Sequence, residues 1–206
     1  MSSRDPAAPA GREAEPETGP AVVAVAASAG GIVALSAVLG ALPVGFPVPV
    51  LVVQHLAPHH DSIIAEVLDH RTALMVKLAQ DGELIVPGIV YVAPPDHHLL
   101  VTADGRTQLA VGERVHFVRP AADLLFDSVA KVYGPRALAC VLSGTGRDGA
   151  QGASAVKAGG GTVIVEDPES AQFKGMPEAA VRACAADEVL PLTEIGPALR
   201  RLVGTP

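Results

Sequence analysis

Three short apolar runs constrain this chain more than anything else in it. They are AVVAVAA at 21–27, VPVLVV at 48–53 and LACVL at 138–142, and each one gives way to a small or polar residue in a turn. Runs of that length, rich in Val, Leu and Ala and bounded by Gly, Pro or Ser, read as strands buried on both faces. Such strands belong to parallel sheets covered by helices. From Ala21 onward the runs alternate with amphipathic stretches, which is the pattern of βαβ units. The spacing predicts strands near 22–26, 50–53, 89–92, 138–142, 162–165 and 188–190, and helices over 31–40, 61–71, 121–133, 149–158, 177–185 and 193–202. Between 76 and 120 the pattern is less regular, and the runs HLLV and TQLAV suit a small antiparallel hairpin beside the main sheet. The expected fold is α/β: a single doubly wound, mainly parallel sheet with helices on both faces.

Composition narrows the class further. Hydrophobic residues make up 49% of the 206 positions and aromatics only 3%, with no Trp, so the core is built from Ala, Val, Leu and Ile. The net charge of -7, with no basic run, argues against nucleic-acid binding and against adhesion to an anionic membrane. No stretch of eighteen apolar residues and no secretory leader pattern is visible, so a cytoplasmic protein without direct membrane insertion is expected. Residues 1–20 are rich in Ala, Pro, Gly and Glu without periodicity and read as a disordered tail, with one domain over 21–206. Two cysteines, Cys140 within a strand and Cys184 near a helix end, fit reduced, buried residues better than a disulfide framework.

The ends of the three runs carry Ser28, His55 and Asp148, the three chemistries of a nucleophile, base and orienter relay. In an open parallel sheet, ligands bind beyond the carboxyl ends of the strands, where three such ends can converge. Taken singly, Ser28 and Asp148 also suit helix N-caps, and His55 suits a hydrogen-bonded structural residue. A phosphate cradle after Ser28 is disfavoured, because no Lys follows Gly30 and Gly31. The pairs His59 with His60 and His97 with His98 lack a supporting carboxylate or Cys set, so no metal is expected. The turn from Ser143 to Gly146 is short enough to present backbone N–H groups to an oxyanion. Together these features point to a serine hydrolase.

Six ordered blocks make the reading more specific: VVAVAASAGG at 22–31, VVQHLAP at 52–58, PGIVYVAP at 87–94, RPAADLLFDSVA at 119–130, LSGTGRDGAQG at 142–152 and FKGMPEAAV at 173–181. From about Ala21 to Val203 the chain resembles the catalytic domain of the bacterial chemotaxis protein-glutamate methylesterases, the CheB type. The resemblance implies Ser28 as nucleophile, His55 as base and Asp148 as orienting acid, with backbone amides of Ala29 and Thr145 as oxyanion donors. It implies hydrolysis of methyl-esterified glutamates on the cytoplasmic helices of chemoreceptors, glutamine deamidation by the same acyl chemistry, and no cofactor. A regulatory signalling protein is an expected further partner. Ala26, Ala29 and Thr145 depart from the family's usual Gly, Thr and Met. No receiver domain precedes the tail in this sequence, so a free-standing catalytic domain is expected. The rival readings are a non-catalytic methylesterase-like signalling or binding module, and a small-molecule esterase.

Overall fold

The computed structural model describes residues 19–55, 63–183 and 185–205. The expected tail, apart from Gly19 and Pro20, lies outside the described residues, as do His59, His60 and Cys184. Three strands form the middle of the sheet: β1 (Val22–Ala27), β2 (Val50–Gln54) and β7 (Ala137–Val141). All are buried along their whole length, as their near-unbroken apolar runs require of strands covered on both faces. Beyond β2 lie β4 (Ile89–Val92) and then β3 (Met75–Leu78), and beyond β7 lie β8 (Thr162–Glu166) and β9 (Glu188–Leu190). The seven strands run in the order β3-β4-β2-β1-β7-β8-β9, every neighbouring pair parallel. The remaining strands, β5 (His98–Val101) and β6 (Thr107–Ala110), form the antiparallel hairpin expected from HLLV and TQLAV.

Strand β3 is absent from the expected set. It is an edge strand in which Met75 is exposed and Val76 buried, and Lys77 breaks the apolar stretch that leads into it. Its place is fixed by pairing with β4, from Met75 opposite Ile89 to Leu78 opposite Val92, which local pattern does not encode.

Alternate residues of each strand feed two separate cores. Val23, Val25, Val50, Val52, Leu138 and Cys140 face one side, under α1 (Gly31–Gly40), α2 (Ile64–Asp69) and α6 (Leu192–Leu202). Ala24, Ala26, Leu51, Val53, Ala139 and Val141 face the other, under α3 (Ala122–Tyr133), α4 (Ala150–Ala158) and α5 (Gly175–Arg182). The doubly wound arrangement is thus as expected. Helix bounds differ modestly. The stretch expected over 61–71 is helical only from Ile64 to Asp69 within the described residues, and α5 begins at Gly175, two residues before Pro177. Proline in a first turn has no N–H to leave unpaired, so it does not mark the first residue.

One close approach bears on the site. A Cβ on Gly152 of α4 would lie 2.6 Å from Phe126 Cβ and 2.8 Å from the Asp123 carbonyl, so only glycine lets α4 and α3 meet there. The Gly152 N–H then donates to Asp123 Oδ1 at 2.8 Å. That contact sets the start of α3 against the loop that carries Asp148.

Candidate active site

Strand β1 starts the sheet in its middle, with β2 on one side and β7 on the other, so the chain reverses direction of growth beside β1. A crevice opens beyond the carboxyl ends of strands at such a switch point. Here it is a pocket of about 620 Å³ lined by Ser28, His55, Thr145, Arg147 and Asp148, with His116, Phe117 and Val118 on a further wall. Ser28 follows β1 directly, His55 follows β2, and Asp148 ends the loop after β7. Three residues expected on separate strand ends therefore share one cavity.

His55 Nε2 lies 2.7 Å from Asp148 Oδ2. Asp148 is 2% exposed and also receives the N–H of Ala122 on Oδ2 at 2.6 Å and that of Asp123 on Oδ1 at 3.1 Å. Burial by itself would raise this carboxyl, but the hydrogen bonds from His55 and the two amides outweigh it and hold the group below its ordinary value. An ionised carboxylate only accepts, so Nε2 is the donor, and in the neutral ring the lone pair is then on Nδ1. Among the described residues, Ser28 Oγ has no hydrogen-bond partner within the chain.

Neither helix-cap reading survives. Gly30, in the left-handed region at φ 73°, caps α1, and Gly149 at φ 91° caps α4, with no side-chain capping bond at either. Asp148 instead accepts from the first two residues of a different helix, α3. The positive end of that helix adds to the attraction for a carboxylate.

The serine turn is braced from behind. Gln54 Nε2 donates to the Ser28 carbonyl at 2.8 Å and to the His55 carbonyl at 2.9 Å, tying two strand ends together. Ser28 N–H donates to the Ser143 carbonyl, and Ser143 Oγ donates to the Ala29 carbonyl at 2.9 Å. Ser143 N–H in turn donates to the buried Glu166 at 2.7 Å, whose carboxyl is pushed up by burial against the pull of that bond. A Cβ on Gly144 would stand 2.2 Å from Met176 Sδ and 2.9 Å from Ser28 Cβ, so the turn needs glycine to approach the serine. Among the described residues, the N–H groups of Ala29 and Thr145 donate no hydrogen bond within the chain. Thr145 lines the pocket.

Other titratable groups sort clearly. His98 is buried and uses both ring nitrogens, with Nε2 on the Glu113 carbonyl and Nδ1 accepting from Ala121 N–H. His97 bonds the Pro95 carbonyl. Cys140 is free and fully buried, and burial pushes its thiol up. His116, Asp123 and Asp148 bring possible metal-binding atoms within 4.8 Å of one another. Their facing atoms are already engaged, His116 Nε2 with Asp123 Oδ2 at 3.0 Å and Asp148 with three donors. Sequence reading missed Gln54, His116, Phe117, Asp123 and Glu166. Gln54 and Glu166 do carry a signal, as polar residues closing apolar strands, but the partners that give them their role, Ser28 and Ser143, lie more than twenty residues away.

The architecture and the pocket describe an α/β protein with a Ser, His and Asp cluster at its switch point. The model of the CheB methylesterase family matches residues 23–199. The chain is 42% identical over 194 residues to the protein-glutamate methylesterase FrzG of Myxococcus xanthus, covering 94% of this chain and 58% of that protein. It is 38% identical over 180 residues to a putative protein-glutamate methylesterase/protein-glutamine glutaminase of Leptospira interrogans, covering 87% of this chain and 93% of the other. The crystal structure of the Thermotoga maritima CheB methylesterase catalytic domain superposes with a TM-score of 0.85 at 40% identity, over 89% of this chain and 98% of that one. The chain belongs to the CheB methylesterase family. It spans about half the length of several curated relatives, including FrzG. Among the described residues, no helix is long and apolar enough to cross a membrane.

Proposed function

We propose that this domain is a serine hydrolase that removes methyl esters from glutamate side chains of chemoreceptors, as a protein-glutamate methylesterase. The observation that carries the reading is the 2.7 Å bond between His55 Nε2 and Asp148 in the pocket that also holds Ser28. Ser28 Oγ attacks the ester carbonyl while His55 Nδ1 takes its proton. Asp148 holds the Nε2–H tautomer and offsets the charge that the ring acquires. The undonated amides of Ala29 and Thr145 receive the oxyanion. The protonated ring then gives its proton to the departing methoxide, which leaves as methanol, and an acyl-serine remains. Water, deprotonated by the same nitrogen, attacks that acyl group, and collapse restores Ser28 and frees a glutamate. Every step uses groups of the chain itself.

The names of the relatives support a protein substrate, and the same acyl chemistry extends to glutamine, with ammonia leaving in place of methanol. The substrate belongs on the cytoplasmic helices of a receptor, which places the domain in the cytoplasm. Ala26, Ala29 and Thr145 leave the backbone donors in place, since an amide does not depend on its side chain. The test is methanol release from methylated receptor membranes, run beside an aryl acetate. Turnover of both supports the reading, turnover of the aryl ester alone indicates a small-molecule esterase, and turnover of neither indicates a binding module.

A further inference from the structure

One wall of the pocket is a two-residue turn of unusual composition. Val115 and Val118 bond each other in both directions, Val115 N–H to the Val118 carbonyl at 3.1 Å and Val118 N–H to the Val115 carbonyl at 3.0 Å. The residues between them, His116 at φ 51° and Phe117 at φ 66°, both lie in the left-handed region. That backbone is the type I′ turn, whose two central positions strongly favour Asn and Gly because a Cβ is strained there. His is tolerated at such a position, but a bulky Phe has no local reason to occupy one, and strain held in place beside a site points to function.

The base of the turn is fixed. His116 donates from Nε2 to Asp123 Oδ2 at 3.0 Å and accepts at Nδ1 from Arg147 Nε at 3.4 Å, which ties the turn to the loop carrying Asp148. Arg119, just beyond the turn, grips Asp96 Oδ1 through Nε and Nη2 at 3.0 and 2.7 Å. The Phe117 side chain has no such anchoring. Phe117 is 91% exposed, more than any other large apolar side chain among the described residues, although it borders the pocket. A ring so exposed contributes nothing to the core. At the rim of the pocket, with most of its surface in solvent, the ring has more area to offer a polypeptide laid across the mouth than a small ester bound at Ser28.

We propose that Phe117 is a specificity-determining residue, a pre-set aromatic anchor that docks on an apolar stretch of the protein substrate beside the scissile ester. The inference rests on the methylesterase reading. Aromatic side chains lose few rotamers on binding and are over-represented among the residues that dominate interfaces. Holding the ring out in advance removes part of the ordering cost of binding.

The experiment compares kcat/KM of the full chain and its Phe117→Ala, Phe117→Gly and Phe117→Tyr variants on methylated receptor membranes and on an aryl acetate. The Ala and Gly variants are expected to lower the ratio of protein to aryl-ester turnover by about tenfold, the scale on which an interface anchor acts. Tyr is expected to keep the ratio within about threefold, since it preserves the ring and the apolar area. Phe117→Gly also relieves the strain, so its Tm is expected to rise while its ratio falls. A ratio unchanged in the Ala and Gly variants overturns the proposal even if the wild type hydrolyses both substrates. Inactivity of the wild type on every ester refutes the methylesterase reading instead. Sedimentation that shows a dimer lost on Phe117→Ala also overturns the proposal, because the ring is then covered by a second copy.

Discussion

Replacing Asp148 by Asn separates the two tasks the carboxylate performs, because the structure gives it three donors and Asn has one acceptor oxygen. With the amide oxygen in the Oδ2 position, His55 and Ala122 keep their acceptor, but the new NH₂ faces the Asp123 N–H. With the amide reversed, the NH₂ faces both His55 and Ala122. Either way at least one N–H at the start of α3 is orphaned, at residues 0% and 6% exposed. An orphaned buried donor costs about 1–3 kcal/mol. Loss of the negative charge at a partly buried helix end adds up to about 2 kcal/mol. The expected destabilisation at pH 7 is therefore about 1–5 kcal/mol, read from denaturant midpoints. Because Asp148 is held below its ordinary value of 3.8 in the folded protein, its ionisation stabilises the fold above that value, and the benefit fades as pH falls through the folded value. The gap between wild type and Asn should accordingly narrow from pH 7 to pH 3. Turnover should fall toward the about 10⁴-fold loss seen for the same change in a serine protease relay. An Asn variant that unfolds at the wild-type midpoint at pH 7, or shows the same gap at both pH values, would refute the clamp on α3. Retention of more than about a tenth of kcat would refute the relay.

Ser28→Ala is expected to abolish methanol release without moving Tm, and adding His55→Ala should remove almost nothing more, since members of a relay act as one unit. Independent losses that multiply in the double variant would count against the pair. Gly144→Ala forces a methyl within 2.9 Å of Ser28 Cβ and 2.2 Å of Met176 Sδ. It should cost about 1–3 kcal/mol by overpacking and lower kcat by up to about 10² through displacement of the serine; a wild-type kcat and Tm would show that the turn has room. Glu166, raised by burial, should make the fold less stable as pH climbs from its ordinary 4.5 through its folded value. Glu166→Gln keeps an acceptor for Ser143 N–H without the charge, so it should raise Tm at pH 8 and not at pH 4. Glu166→Leu should lower Tm at both, and a Gln variant with no pH-dependent gain would exclude a buried charge there.

The three apolar runs that became β1, β2 and β7 determined the fold class, because a parallel strand buried on both faces leaves a local mark in its own composition. The same runs pointed to Ser28, His55 and Asp148, since each lies in the turn or loop that follows a strand, and ligands in such folds bind beyond strand ends. Edge strand β3 left no such mark, being half exposed and paired within the sheet to β4 only. Which neighbour each strand takes was likewise decided by packing across the sheet. Tertiary structure alone turned Asp148 from a possible cap of its own helix into a clamp on α3, through donors 25 and 26 residues away. It also bent His116 and Phe117 into a turn that their side chains disfavour. Local propensity acts over a few residues, whereas these features depend on groups brought together only when two helices close over the sheet, at the glycine contact between Gly152 and Asp123.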